Sequence, residues 1–186
     1  MPLRRHRLQD RMSPQPTTDI DARMMTEALK MAHRALDQGE FPVGCVIADR
    51  GSVMARGHRT GTAVENEIDH AEINALRQLG LVDPQVDRSC LVLYSTMEPC
   101  LMCFAAIMLS GIGRIVYAYE DVMGGGTGCD RSVMAPLYRD SPLTVTAGVL
   151  REQSLALFRR FFKAAGSDYW ADSLLCRYTL EQPISA

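Results

Sequence analysis

Two short runs in this sequence carry side chains that can do chemistry together: His70-Ala71-Glu72 and Pro99-Cys100-Leu101-Met102-Cys103. Cysteines three residues apart at the start of a helix project to one side of its first turn. The unpaired N–H groups and dipole of a helix N-terminus favour thiolate over thiol. His70 opens a second apolar-periodic segment, so two helix N-termini can meet around one cation. A His/Cys/Cys set fills three positions of a tetrahedral zinc site and leaves the fourth for water. A purely structural site would recruit a fourth ligand, and no second Cys-x-x-Cys or His pair supplies one. A redox reading of Cys100 and Cys103 leaves His70 and Glu72 without a task. Glu72, two residues after His70, places a carboxylate beside the metal without being its natural ligand. That is the position of a general acid/base that moves protons for an activated water.

The elements that must position these residues follow from periodicity. Met24, Met25, Ala28, Leu29, Ala32, Ala35 and Leu36 fall at helical spacing, with Thr18 or Asp19 as start and Gly39 as stop. Phe41 to Ala48 reads as a strand, Asp49 to Ser52 as a turn, and Val53 to Gly57 as a returning strand. His58 to Asp69 reads as a loop. His70 to Gly80 reads as a helix, Cys90 to Ser95 as a buried strand, and Pro99 to Leu109 as a helix with proline in its first turn. Arg114 to Ala118 and Leu143 to Ala147 are further strands. Glu152 to Lys163 is an amphipathic helix, and Asp168 to Cys176 a weak one. Gly124-Gly125-Gly126 and Gly128 mark a loop without the Lys-Ser/Thr of a phosphate-binding motif. Helix, hairpin, then alternating helix and strand predicts a three-layer α/β/α sandwich.

The chain has 186 residues and a net charge of −2. That length suits one domain, expected over residues 18–165, with an Arg-rich flexible tail over 1–17 and a helical C-terminal extension over 166–186. Up to Pro16 four arginines face only Asp10; the rest holds 16 basic against 21 acidic residues, a net of −5. An acidic body argues against a broad nucleic-acid-binding face. Six cysteines without a secretory apolar segment point away from a disulfide framework and towards the cytoplasm. No apolar run reaches the ~20 residues of a membrane helix.

His-x-Glu with Pro-Cys-x-x-Cys is the signature of zinc deaminases. On these residues the chain resembles the cytidine-deaminase-like superfamily, and within it the bacterial tRNA adenosine deaminases and their guanine- and cytosine-deaminase relatives. The resemblance runs from about Thr26 to Lys163. It includes Phe41-Pro42-Val43-Gly44-Cys45-Val46, Thr96-Met97-Glu98 ahead of Pro99, Ser110 to Tyr117, and Asp121 with its Gly-rich loop. It implies a five-stranded mixed sheet, one zinc ion per chain, a homodimer, and removal of an exocyclic amine from a nucleobase or nucleoside as ammonia. By the same resemblance Phe41, Pro42, the Ala71 amide and Asp121 line the base pocket.

Three departures leave the substrate open. The family's asparagine after the second strand is replaced by Gly57-His58-Arg59-Thr60, where His58 or Arg59 would take its place; His58 is the candidate substrate contact. Phe41 is bulkier than the valine common in tRNA deaminases. The basic helix Arg151, Arg159, Arg160, Lys163 continues into Asp168-Tyr169-Trp170-Ala171-Asp172. Adenosine in a tRNA anticodon loop, a free base or nucleoside such as guanine or cytosine, and another amino-heterocycle such as a pterin or triazine all fit. A non-catalytic zinc-folded partner subunit would not need Glu72.

Overall fold

The computed structural model describes residues 18–64, 66–81, 86–164 and 168–183. The expected tail over 1–17 lies outside them. Helix α1 spans Asp19–Asp37 and opens on Thr18, whose side chain and that of Asp21 cap each other's backbone amides. Strands β1 (Gly44–Asp49) and β2 (Ser52–His58) form the antiparallel hairpin. Helix α2 is Ala71–Leu79, β3 Leu91–Met97, α3 Leu101–Leu109 and β4 Arg114–Tyr119. A short α4 (Pro136–Arg139), unforeseen in the sequence, precedes β5 (Thr144–Thr146), α5 (Arg151–Lys163) and α6 (Leu174–Glu181).

The sheet order is β2-β1-β3-β4-β5. β1 runs antiparallel to both neighbours, and β3, β4 and β5 are parallel, so the sheet is mixed. Strand alternation divides the core. Val46, Ala48, Tyr94, Val116 and Ala118 pack on Met24, Met25 and Ala28 of α1. Cys45, Ile47, Leu91, Leu93 and Ile115 pack with Ala71, Ala75, Leu79, Phe104 and Ile107 of α2 and α3. Leu157 of α5 joins Leu29 and Ala32 of α1, while Phe158 and Phe161 reach the ring of Phe41.

Three expectations change. The strand begins at Gly44, and of the three residues before it Phe41 and Val43 line a cavity. Pro99 stands before Cys100, the N-cap of α3, and so outside the helix. Asp168 to Ser173 form turns, and the last helix starts at Leu174 with Ser173 accepting from the Cys176 amide at 3.0 Å. Leu175 is buried in the main core, and the Tyr119 and Thr179 hydroxyls bond at 3.1 Å. The C-terminal segment therefore packs as part of the same body.

Candidate active site

His70 and Cys100 are the N-caps of α2 and α3, and neither side chain caps its own helix. The extended backbone of an N-cap residue throws its side chain forward of the helix. Here both point at each other, and Cys103 joins from the first turn of α3. The Sγ atoms of Cys100 and Cys103 each lie 3.5 Å from His70 Nδ1. Tetrahedral zinc with bonds of about 2.3 Å to sulfur and 2.0–2.1 Å to nitrogen sets such donors about 3.6 Å apart. Donor types and spacing both fit zinc, and this is the group of three metal-ligating side chains found among the described residues.

The three donor groups are electrostatically coupled. The Cys103 thiol donates to the Cys100 sulfur, and with the His70 ring this brings Cys100 down to about 4, while Cys103 is pushed up. Burial alone would lower His70, but the Cys100 sulfur and the Glu72 carboxylate raise it on balance.

Glu72 is 3% exposed. Its Oε1 accepts from Ser95 Oγ at 2.7 Å, and its Oε2 stands 3.5 Å from Cys103 Sγ. Burial raises its pKa, which suits a group that must both take and give a proton. Gly57 allows α2 to come this close. A Cβ there would lie 2.1 Å from the Ala71 carbonyl oxygen and 2.5 Å from the Ala75 nitrogen.

Beside the ligands lies a cavity. Phe41, Ala71 and Asp121 line it with His70, Glu72 and Cys100. Pro42 is buried and does not line it. His58 is not on its wall either: its Nε2 meets Gln38 Oε1 at 3.1 Å, and burial lowers its pKa. Strand parity explains this. Gly57 faces α2, so His58 faces the other way and Arg59 returns to the cavity side. Arg59 is the residue that reaches the cavity, and the alternation around Gly57 was the signal that could have chosen it.

The other walls are Val43, Met97, Glu98 and Gly124, with Tyr169 and Trp170 from the C-terminal segment. Glu98 shapes the Gly-rich loop, accepting from the amides of Asp121 and Thr127, both at 3.2 Å. Asp121 Oδ1 accepts from the amides of Met123 and Gly124. Tyr169 and Trp170 stack at 5.3 Å, and both pack on Phe41, at 5.4 and 6.0 Å between ring centres. The sequence offered no periodic signal for this aromatic wall.

Residues 18–119 match the family described as "Cytidine and deoxycytidylate deaminase zinc-binding region". The chain belongs to this family. The deaminase is similar to the tRNA-specific adenosine deaminase of Bacillus subtilis, at 30% identity over 77% of this chain and 89% of that one. It has the same 30% identity to a Streptococcus pyogenes protein of that name, over 75% and 87%. Among solved structures it resembles one from a study of A-to-I editing by tRNA:A34 deaminases, at TM-score 0.62 and 31% identity over 72% of this chain and 97% of that one. It also resembles the guanine deaminase of Nitrosomonas europaea, at TM-score 0.64 and 25% identity over 80% and 87%. The deaminase is a zinc-dependent hydrolytic enzyme with the mixed-sheet fold of these relatives.

Proposed function

We propose that the chain hydrolyses the exocyclic amine of a small free base or nucleoside, replacing C–NH2 by C=O and releasing ammonia. His70 Nδ1 and the sulfurs of Cys100 and Cys103 would hold the zinc. Zinc, when bound, lowers the pKa of water towards about 7. Glu72 takes a proton from the attacking water and delivers it to a ring nitrogen, then takes the remaining hydroxyl proton of the tetrahedral adduct and gives it to the amine, so that C=O forms as the C–N bond breaks and ammonia leaves. Ser95 holds the carboxylate in line. Phe41 gives the ring an apolar face, and the Ala71 amide, in the first turn of α2, has no partner within the helix and so is a donor for the substrate.

The observation that carries the small-substrate reading is the aromatic wall. Tyr169 and Trp170 join Phe41 and narrow the approach to a flat ring. Two basic residues of α5 are also spoken for. Arg151 binds Glu120 and Gln182, and Arg159 binds the carbonyls of Leu180 and Gln182, which fastens α6 in place. A second reading, adenosine in an RNA loop, rests on the 30% identity to proteins named tRNA-specific adenosine deaminases. Ammonia release from the zinc-loaded chain separates them, with guanine, cytosine, adenine, their nucleosides and an anticodon stem-loop as substrates. Activity on free bases is expected. Activity on the stem-loop alone would overturn the reading.

The same reading includes a homodimer in the cytoplasm. Leu101 and Leu109 of α3 and Leu137 of α4 are exposed apolar side chains that an interface between two copies would cover. Analytical ultracentrifugation at twice the monomer mass supports it, and a monomer at micromolar concentration sinks it.

A further inference from the structure

Asn74 ties together the two ends of the segment that links β2 to α2. It stands one turn after His70, and its amide donates to the His70 carbonyl at 2.9 Å. Side chains of a helix lean towards its N-terminus, so that of Asn74 reaches back past the start of α2. Its Nδ2 lies 3.0 Å from the His58 carbonyl oxygen, 3.2 Å from Thr60 Oγ1 and 3.3 Å from the Asp69 carbonyl oxygen. Carbonyl oxygens only accept, so the NH2 end of the amide must face them. The Thr60 amide donates to the same Asp69 carbonyl at 3.2 Å. One side chain therefore holds the last residue of β2 and the residue directly before His70.

Other side chains touch this stretch, but none does the same work. Asn66 Oδ1 accepts from the amides of Ile68 and Asp69 at 2.9 and 3.3 Å, yet Asn66 belongs to the stretch it shapes. Arg77 reaches Asp69 through its carboxylate, which can swing without moving the chain. Asn74 is on α2 and grips backbone on both sides. His70 is the N-cap, so the chain leading into it sets its direction as much as α2 does. We infer that Asn74 is a positioning residue for the metal centre, a clip that holds His70 at its 3.5 Å spacing from the sulfurs of Cys100 and Cys103 before zinc arrives. This rests on His70 as a ligand and holds whichever ring is deaminated. A set ordered in advance loses less freedom on binding, and so binds more tightly.

Zinc affinity of the folded full chain, read by competition with a chelator, tests the clip. Asn74→Leu keeps the side-chain volume and removes the donor. Its zinc Kd should rise about tenfold or more, the range for lost outer-shell partners of metal ligands. Glu40→Ala loosens the same segment elsewhere, where Glu40 accepts from the amides of Gly61 and Thr62 at 3.1 and 2.7 Å, and should leave the Kd near wild type. Tyr94→Phe loses its bond to Asp21 on the far face of the sheet, and should lower stability without moving the Kd. A clip that merely ordered the segment, or merely stabilised the fold, would make one of these two match Asn74→Leu, and either match overturns the inference. A wild-type Kd in Asn74→Leu overturns it too and leaves the zinc set standing. Full zinc content in His70→Ala would remove His70 from the set and the inference with it. If Asn74→Leu does not fold, hydrogen exchange of the wild type decides. The amides of Ile68, Asp69 and His70 should exchange at rates within about tenfold with and without zinc, because the fold already orders them. Exchange that becomes far faster on zinc removal shows that the metal orders this entry, and overturns the inference.

Discussion

The tasks proposed for Glu72 and for the three zinc-binding side chains are separable, and substitutions should separate them. Glu72 touches Ser95 and Cys103, and its carboxylate is not among the three donors grouped around His70 Nδ1. Glu72→Gln should keep one zinc per chain by metal analysis and lose at least about two orders of magnitude in kcat, the usual scale for a lost general acid/base. Near-normal turnover would remove Glu72 from the mechanism. Cys103→Ser weakens the metal set itself, and the purified variant should contain well under one zinc per chain. Full zinc content would remove Cys103 from the ligand set. These four residues were legible in the sequence because their chemistry is written in residue type and close spacing. Arg59 and His58 were harder to tell apart. Both are polar, adjacent and at a strand end, and only the side of the sheet decides between them. Gly57 fixes that side because α2 leaves it no room for a Cβ.

The helices and strands hold the site through a few close fits. Gly57→Ala would drive a methyl group into the backbone of Ala71 and Ala75, next to His70 and Glu72. Such overpacking costs about 1–3 kcal/mol. The displaced helix start should also lower turnover more than tenfold, as misplaced catalytic groups do. Denaturant unfolding and kcat read the two effects; a variant with wild-type values for both would deny the close fit. On the opposite face, Asp21 pins α1 to the sheet. It receives both Arg114 nitrogens at 3.0 Å and the Tyr94 hydroxyl at 3.0 Å. Burial alone would raise its pKa, but the Arg114 bonds, then the Thr18 amide and Tyr94, lower it on balance. A lowered carboxylate pKa gives stability that is full above the unfolded value near ~3.9 and is lost as pH falls through the folded value. Wild-type stability should therefore drop below about pH 4. Asp21→Asn should cost about 3 kcal/mol at neutral pH, because Arg114 is left unpaired, and should flatten that acid limb. Unfolding midpoints against pH check both; an Asn variant as stable as wild type would refute the clamp. Periodicity in the sequence revealed α1 and offered Thr18 or Asp19 as its cap, of which Thr18 is the cap. The Asp21–Arg114 pair spans 93 positions, and no local pattern could reveal it.

At the scale of the molecule, charge and the C-terminal segment set the surroundings of the cavity. The sequence carries a net of −2; residues 1–17 hold four of its 20 basic residues and one acid, so the remainder carries −5. Of the α5 cations, Arg151 is neutralised by Glu120, while Arg159 donates to the backbone carbonyls of Leu180 and Gln182 at the end of α6. The aromatic wall came from chain segments far apart, Phe41 and residues 169–170, which is why composition and spacing were silent about it. This arrangement has a measurable consequence. An enzyme that grips an RNA loop through six or more phosphates loses about 10³-fold or more in affinity between 50 and 200 mM salt. A neutral ring bound against Phe41 and the Ala71 amide, as proposed above, would neutralise no phosphate and release no counterions. Its kcat/KM should change by less than about twofold over the same range. Steady-state rates on the best free base at the two salt concentrations provide the measurement. A fall of several orders of magnitude would mean that the cavity serves a polyanion, and that the acidic walls formed by Glu98 and Asp121 do not govern what enters.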